Sequence, residues 1–414
     1  MPTRPAALVE GILARVSADE VTDLTRRLVQ VPSVFRPGEP DANERAVADL
    51  VATWLSGEGF TVEVDEVAPG RPNVVGWLDG DGPGPTLCLE GHTDVVTEGD
   101  AARWRHGPWS AAVEDGRLYG RGAADMKGGL AAAMLGLAAL RRAGARFRGR
   151  AVLAALVDEE GGMTGARHFV TTPLGRSMTA AIICEPEENE LCLEQKGVFW
   201  ARVAVHGRMA HGAMPYAGAN PIGAVGYFLA GLPSVERRVR RGVPRSRFLG
   251  RPHITPTIVR APVKGAAQNN VIPGEAEIRL DVRLTPGLEP ERALDAIQAL
   301  ARTTEGRFTP VRVDVETIEP PRPATRVDRS EPIVQALAWA MRTVSGRPAR
   351  FGGVPGSTDG TIFRSEVGIP IVTCGPGGRE IPHQIDEYVE VDQLVTAARA
   401  YALTAVRFLD GRAG

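Results

Sequence analysis

The 414-residue sequence lacks the features by which several classes of protein are recognised. It has no block of one charge, and its net charge is −2, so we expect neither a nucleic acid nor an anionic membrane as its main partner. Its longest nearly apolar run, at 128–140, is too short to cross a bilayer. The N-terminus has no continuous apolar segment, which favours an amphipathic helix over a signal peptide.

Motifs for redox, metal-cluster and nucleotide chemistry are also missing. The four cysteines form no Cys-x-x-Cys pair and are typical of small core residues in a cytosolic chain, so we expect a cytoplasmic location. Neither GxGxxG nor a Walker sequence occurs, which argues against a nucleotide site in the glycine-rich stretch near residue 125. No internal repeat or low-complexity tract is visible.

The order of predicted elements indicates two domains, as expected for a chain too long for one compact core. Helices are predicted at 7–30, 42–57 and 391–409. Strands alternate with helices through about residue 196, which predicts an α/β domain with a mostly parallel sheet. Residues 197–317 instead follow the order β-α-β-β-α-β, which is ferredoxin-like. We therefore predict one domain from 1–196 and 318–414, with an α+β domain inserted at 197–317.

The most informative stretch is the acidic turn that follows the apolar run AVLAALV at 151–157. Asp158, Glu159 and Glu160 come directly after this predicted strand, and ligands of open α/β sheets bind outside the carboxyl ends of strands. Adjacent carboxylates repel one another unless a cation lies between them or one is protonated. A solvated acidic turn is the alternative interpretation.

A second motif, LEGHTDVV, carries His92 and Asp94 at the end of another predicted strand. If the strand continues that far, its period of two puts both side chains on one face. Asp94 is then placed to orient a metal-binding His92 through its second ring nitrogen. Alternatively, Asp94 pairs with a basic residue and His92 is a buried, hydrogen-bonded histidine.

Further acids and a histidine occur in comparable places, although Asp125 also suits a helix N-cap. The candidate ligands at strand ends and in loops are His92, Asp125, Glu160, Glu185 and His383. Two histidines and three carboxylates suit zinc, with cobalt and manganese as relatives. Five ligands exceed a tetrahedral site but fit two metals that share one carboxylate. Glu159 then remains free to act as a general base.

These motifs, in their order, resemble a known family. LEGHTDVV, GRGAADMKGG, VDEEGG, CEP and IPHQIDEYV are similar to motifs of the dinuclear zinc family of acetylornithine deacetylase, succinyl-diaminopimelate desuccinylase, aminoacylase and carboxypeptidase G. The resemblance covers nearly the whole chain. It implies a zinc hydrolase domain, with the inserted domain acting as a lid and dimerisation domain.

The resemblance also assigns roles in the metal site. His92, Asp125 and Glu185 would hold one zinc, and Asp125, Glu160 and His383 the other, so that Asp125 bridges two zinc ions per chain. Asp94 would orient His92, and Glu159 would be the catalytic base. The bond from Asp125 to Met126 is expected to be cis.

In the inserted domain, the resemblance points to three residues that would meet the substrate. His211 matches a histidine that reaches the active site of the partner subunit, which implies a homodimer, although the sequence leaves open whether it acts in cis or in trans. Asn270 and Arg283 match substrate-binding positions. The alternatives are a surface loop for His211 and an ordinary strand salt bridge for Arg283.

The implied reaction is metal-dependent hydrolysis of an amide bond in a small-molecule substrate. Glutamate at position 185 favours a deacylase of N-acylated amino acids, because several peptidases of the family have aspartate there. The alternative is a di- or tripeptidase or a carboxypeptidase of the same family. A non-catalytic binding protein on this fold is disfavoured, since the ligands and Glu159 are all present.

Overall fold

The computed structural model describes residues 6–410, which form two compact units. Within that range, the first unit contains residues up to Leu193, 327–353 and 358 onwards. The second contains Glu194–Arg326 and Val354–Ser357. The inserted unit is therefore somewhat longer than the span 197–317 expected from the sequence.

The helices have the following bounds: α1 Ala6–Leu13, α2 Ala18–Val29, α3 Arg45–Gly57, α4 Gly128–Arg142, α5 Thr164–Phe169, α6 Pro173–Arg176, α7 Pro221–Arg240, α8 Pro290–Arg307, α9 Pro332–Ser345, α10 Gly360–Ile362 and α11 Val391–Leu409. Short 3-10 turns lie at Ala101–Arg103 and Pro215–Ala217, and π-helical turns at Ala123–Lys127 and Phe363–Val367.

The strands have the following bounds: β1 Thr61–Ala68, β2 Arg71–Asp79, β3 Thr86–His92, β4 Ala112–Glu114, β5 Arg117–Tyr119, β6 Arg150–Leu156, β7 Ala180–Pro186, β8 Leu191–Gln195, β9 Gly197–His206, β10 Ala210–His211, β11 His253–Arg260, β12 Val271–Ile272, β13 Glu275–Leu284, β14 Arg312–Thr317, β15 Thr325–Arg326, β16 Phe351–Val354, β17 Ile371–Gly375 and β18 Tyr388–Glu390.

The first unit is built on a large mixed sheet in the order β1-β2-β6-β3-β7-β17-β8. Its central pairs, β6–β3, β3–β7 and β7–β17, are parallel, and the pairs towards its edges are antiparallel. The central strands are buried along almost their whole length, as is usual for parallel strands covered on both faces. The predicted α/β fold is confirmed, with a sheet that is parallel at its centre.

Helix α4 lies at the centre of this unit, where small residues allow close packing. Together with the preceding π-turn it forms the stretch Ala123–Arg142, which is long and apolar enough to cross a membrane by length and composition alone. That stretch is almost wholly buried inside the protein, as a core helix is. A Cβ on Gly129 would lie 2.0 Å from the carbonyl oxygen of Cys184 in β7. This close approach brings the turn that carries Asp125 beside the end of β7.

The second unit has the predicted ferredoxin-like arrangement. Its four-stranded sheet has the order β11-β13-β9-β14, and all three pairings are antiparallel. Helices α7 and α8 pack against the sheet and supply a separate hydrophobic core with members such as Phe228 and Ile297. A small sheet of β10 and β12 lies beside it.

In the first unit, one expectation about local structure is wrong and one condition is not met. The predicted helix at 7–30 is divided, because Ser17 caps α2 with its hydroxyl oxygen accepting the N–H of Glu20 at 3.1 Å. The strand β3 ends at His92, so Asp94 lies beyond it and does not share its face by strand periodicity. The small sheet of β4, β5 and β18 has no counterpart among the elements predicted from the sequence.

The packing at Gly129 gives a prediction for stability. Gly129→Ala should lower the stability of the first unit by roughly 1–3 kcal/mol, since the new methyl group would overlap a backbone carbonyl that cannot move freely. Thermal unfolding would measure the loss. Gly11→Ala in α1 is the control, because a Cβ there meets no atom within 4 Å. A Gly129→Ala protein at least as stable as the Gly11→Ala protein would contradict this packing.

Candidate metal centre

Adjacent parallel strands deliver the candidate ligands to one edge of the sheet. β3 ends on His92, β6 is followed directly by the acidic turn, and β7 carries Glu185 near its end. These strands are neighbours in the order β6-β3-β7, so their carboxyl ends lie side by side. The expectation that these motifs meet at the edge of one sheet agrees with the structure.

Asp125 lies between the two histidines. Its Oδ1 is 3.0 Å from His92 Nε2, and its Oδ2 is 3.3 Å from His383 Nε2. The π-turn that carries it departs from helical geometry at Asp125 and Met126, and the peptide bond between them is cis, as the resemblance predicts. Because each oxygen of the Asp125 carboxylate faces a different histidine, this carboxylate is suitably placed to bridge two cations.

The other carboxylates complete two groups around this bridge. Glu185 Oε1 is 3.7 Å from His92 Nε2, and Glu160 Oε1 is 2.9 Å from His383 Nε2. Ligand atoms of His92, Asp125 and Glu160 all lie within 4.8 Å of one another, as do those of His92, Glu159 and Glu185. The structure thus brings together every predicted ligand and the predicted base.

The electrostatics of this cluster fit divalent cations. Burial raises the pKa of Glu159 and of Glu185 well above the ordinary value for a carboxyl, and the charge of Asp125 adds to this. Hydrogen bonds with Asp125 and Glu160 raise the pKa of His383 to about 10. Positive charge is therefore favoured between these carboxylates, and imidazole and carboxylate ligands in this number suit zinc and its relatives.

Asp94 holds the site in a different way from the one predicted. The His92 Nδ1 atom lies 2.9 Å from the backbone carbonyl oxygen of Asp94 and 3.6 Å from its carboxylate. The carboxylate instead accepts the backbone N–H groups of Glu159 at 3.2 Å and Glu160 at 3.1 Å. Asp94 therefore orients His92 through its carbonyl and fixes the acidic turn through its side chain.

The same turn is held from the other side by an ion-pair network that the sequence analysis missed. Arg71 donates to Asp158 at 2.8 Å and, through Nε, to both oxygens of the buried Glu44. Asp158 has a left-handed backbone, with φ of 69°, and its second oxygen accepts N–H and O–H groups of Thr164. The strained residue before Glu159 is thus fixed by its own side chain.

Other buried acids near the site were also missed. Glu90 lies two residues before His92 on the same strand face, and burial together with the charge of Asp359 raises its pKa well above the ordinary value. Glu387 is buried beside Asp125 and accepts its backbone N–H. Period two along β3 could have indicated Glu90, whereas nothing local to the sequence links Glu387 to Asp125.

The remaining predicted residues belong to the second unit. His211 and Asn270 lie close together, since β10 pairs with β12 and the N–H of Gly212 donates to the Asn270 carbonyl at 2.7 Å. Arg283 is near the far end of β13, where its guanidinium donates twice to Asp281, at 2.7 and 3.0 Å. This ion pair is the alternative that the sequence left open for Arg283.

Fold, ligand cluster and similarity to known proteins together define the class as a metal-dependent amidohydrolase. Residues 88–407 match the sequence profile of Peptidase family M20/M25/M40. The chain belongs to this family, in agreement with the resemblance inferred from its motifs.

Named relatives cover almost the whole chain. A succinyl-diaminopimelate desuccinylase of Phenylobacterium zucineum is 30% identical over 410 residues, covering 95% of this chain and 99% of that protein. An acetylornithine deacetylase of Myxococcus xanthus is 31% identical over 399 residues, with coverages of 94% and 97%. Among solved structures, an M20 family metallo-carboxypeptidase of Sulfolobus solfataricus has a TM-score of 0.77 at 17% identity, covering 94% of this chain and 99% of that one. Human carnosine dipeptidase 1 has a TM-score of 0.76 at 16% identity, with coverages of 98% and 100%.

The contacts of Asp94 lead to a prediction. Asp94→Asn should lower kcat by roughly 10–100-fold, because the N–H groups of Glu159 and Glu160 bond to different oxygens of Asp94 and an amide has only one oxygen, so the acidic turn would shift. Steady-state kinetics of the metal-loaded protein would measure this. Asp65→Asn, which alters a half-exposed carboxylate paired with His168, is the matched control and should leave kcat unchanged. Equal kcat in the two variants would disprove the role of the Asp94 side chain.

Proposed function

We propose that the protein hydrolyses the amide bond of an N-acylated amino acid or a related small carboxylate, releasing the acyl group as a carboxylate. The observation that carries this proposal is the cluster in which Asp125 lies between His92 and His383, with Glu159 beside it. The relatives at 30% and 31% identity are a desuccinylase and a deacetylase, which supports an N-acyl substrate here.

A di- or tripeptidase or a carboxypeptidase is the second candidate, because the family to which the chain belongs is described as a peptidase family. The structural relatives named as peptidases are below 20% identity and therefore support the fold alone. Glutamate at position 185 is our reason for placing the deacylase first.

We further propose two zinc ions per chain, with cobalt or manganese as substitutes. His92, Asp125 and Glu185 would hold one ion, and Asp125, Glu160 and His383 the other. The pairs of facing ligand atoms support this division. When bound, such ions would lower the pKa of a water molecule and polarise the amide carbonyl.

Glu159 is the proposed general base. It follows β6, and its N–H is fixed by Asp94, so its carboxyl group is held beside the ligands without being needed as one. Glu159 takes the proton from the attacking water and delivers it to the leaving amine. His211 donates to the carbonyl oxygen as negative charge develops there. Asn270 and Arg283 bind the substrate, with Arg283 directed at its carboxylate.

We propose that the active protein is a homodimer in which His211 acts on the partner's substrate. His211 and Asn270 lie near the start of β13, and Arg283 lies near its end. At about 3.3 Å per residue, the two ends of this strand are about 30 Å apart. One N-acyl amino acid cannot reach both ends of one sheet, whereas residues of two copies can meet at one site. Exposed apolar side chains near His211, Met209 at 65% and Tyr216 at 82%, support a contact surface there.

A cytoplasmic location and a small-molecule substrate complete the proposal. The four cysteines are free and buried, which is consistent with the reducing environment inferred from their spacing. The location itself stays a prediction, and fractionation of cells that produce the protein would test it.

Substitution of the two adjacent glutamates would test the proposed roles and substrate together. Glu159→Gln should retain both metals and lose about 10²–10⁴-fold in kcat, while Glu160→Gln, the matched control, should lose metal as well. Metal analysis would be combined with assays on N-acetyl and N-succinyl amino acids and on dipeptides. Removal of metal by a chelator should abolish turnover. Full activity without metal would refute the metal centre, and hydrolysis of dipeptides alone would favour the peptidase.

Mixing two inactive variants would test the dimer. If His211 acts in trans, Glu159→Gln and His211→Ala subunits should regain activity after exchange, since one site of the mixed dimer has both defects and the other has neither. Recovery should approach about a quarter of wild-type activity, because half of the dimers are mixed and each has one intact site. No recovery after verified subunit exchange would show that His211 does not act in trans.

A further inference from the structure

Glu387 makes three side-chain contacts in the first unit, all directed at the segment that carries Asp125. Its Oε1 accepts the backbone N–H of Ala124 at 2.9 Å and of Asp125 at 3.0 Å. Its Oε2 accepts from Arg121 at 2.5 Å. The residue is 1% exposed, so these contacts replace all but a trace of its hydration.

The same residue is connected to His383 by a short stretch of chain. Glu387 follows His383 by four residues and directly precedes β18, which pairs with β5. Its backbone carbonyl accepts the N–H of Gly120 at 2.9 Å. Side chain and backbone of Glu387 therefore both join the segment that ends in His383 to the segment that ends in Asp125.

Arg121 stabilises the Glu387 carboxylate in its buried position. It is 2% exposed, it neutralises the charge of Glu387, and its guanidinium lies 5.3 Å from the centre of the Trp104 ring. Removing one member of such a pair leaves an uncompensated buried charge, which costs more than the pair contributes. Arg121 and Glu387 should therefore be treated as one ion pair, because a substitution of either residue also affects the other.

We propose that Glu387 is a positioning residue that sets the relative placement of Asp125 and His383 and thereby the affinity for the metal ion they share. This inference rests on the proposed metal centre and deepens it. A carboxylate ligand binds tightly when its backbone is held before the ion arrives, because the binding energy is then not used to order the loop. The N–H groups of Ala124 and Asp125, which both donate to Glu387, supply that order in the segment that carries Asp125.

The acidic turn offers an independent parallel. There the buried Asp94 carboxylate accepts two consecutive N–H groups, those of Glu159 and Glu160. Glu387 does the same for Ala124 and Asp125. Each of these acids belongs to a histidine motif and holds the backbone of a carboxylate ligand from another motif. The similarity of these contacts supports the same role for Asp94 and Glu387, which is to fix the backbone of ligands that are distant in sequence.

Metal affinity would test the proposal without relying on turnover. Metal-free wild type, Glu387→Gln and Glu387→Ala would be titrated with Zn²⁺ against a chromophoric chelator to obtain both dissociation constants. A titration of His383→Ala would show which of the two Zn²⁺-binding steps belongs to the site that contains His383. Glu387→Ala should weaken that step by roughly 10–100-fold and the other step less. Glu387→Gln keeps an oxygen for the two N–H groups and should lie between wild type and Glu387→Ala.

Glu58→Ala is the matched control. Glu58 accepts two hydrogen bonds from Arg142 in the same unit, at 2.9 and 2.6 Å, and belongs to none of the ligand motifs. It should lower the melting temperature of the metal-free protein while leaving both dissociation constants unchanged. If Glu387→Ala does not fold, the comparison of Glu387→Gln with the control decides the matter.

The outcomes separate cleanly. Unchanged dissociation constants in the Glu387 variants would overturn the positioning role, and so would equal weakening of both steps in proportion to lost stability, which is the signature of a merely structural residue. Failure of the wild type itself to bind two ions would overturn the proposed metal centre, and this inference with it. Loss confined mainly to the step that requires His383 would support the proposal.

Discussion

The constraint on which the rest of the first unit depends is the crowding of acidic side chains at one edge of a sheet. Asp125, Glu159, Glu160 and Glu185 lie within a few ångströms of two histidines, and burial penalises the charge on each carboxylate. Such a group of acids is stable when positive charge lies between them or some of them are protonated, and when their backbones are held against repulsion. The first requirement explains why the donor set suits divalent cations. The second explains the buried Asp94, Glu387 and Arg71.

Asp94 and Glu387 support the site by accepting backbone N–H groups rather than by touching the ligand atoms. Asp94 and Glu387 each accept two consecutive N–H groups, and Arg71 fixes Asp158 through its carboxylate. A hydrogen bond to an ionised acceptor is roughly twice as strong as a neutral one, so these contacts add to the other hydrogen bonds that hold the two loops. Rigid loops keep the ligand atoms close to the positions a cation requires, which is the condition for tight and selective binding.

The sequence predicted what is local and missed what depends on packing between distant segments. Periodicity located most helices and strands, and motif spacing located all five candidate ligands. Each of these features depends on a short stretch of sequence. The break between α1 and α2 had a local signal as well, since Ser17 and Glu20 have the spacing of a helix cap. By contrast, the hydrogen bond that the N–H of Asp125 donates to Glu387 joins residues more than two hundred positions apart. No local pattern distinguishes that glutamate from a solvated one, just as none showed that Asp94 orients His92 through its carbonyl.

The topology also explains why the site cannot form from the first part of the chain alone. His92, Asp125, Glu160 and Glu185 precede the inserted unit, whereas His383 and Glu387 follow it. The later segment returns to the sheet by placing β17 parallel to β7, and α11 packs against the central helix α4. Only this docking brings His383 to Asp125 and Glu160. Because ligands that are far apart in sequence gain their mutual placement from folding, free energy of metal binding at such a site is also free energy of folding. Metal loading and docking of the last segment should therefore favour one another, with Glu387 as a direct link between the two.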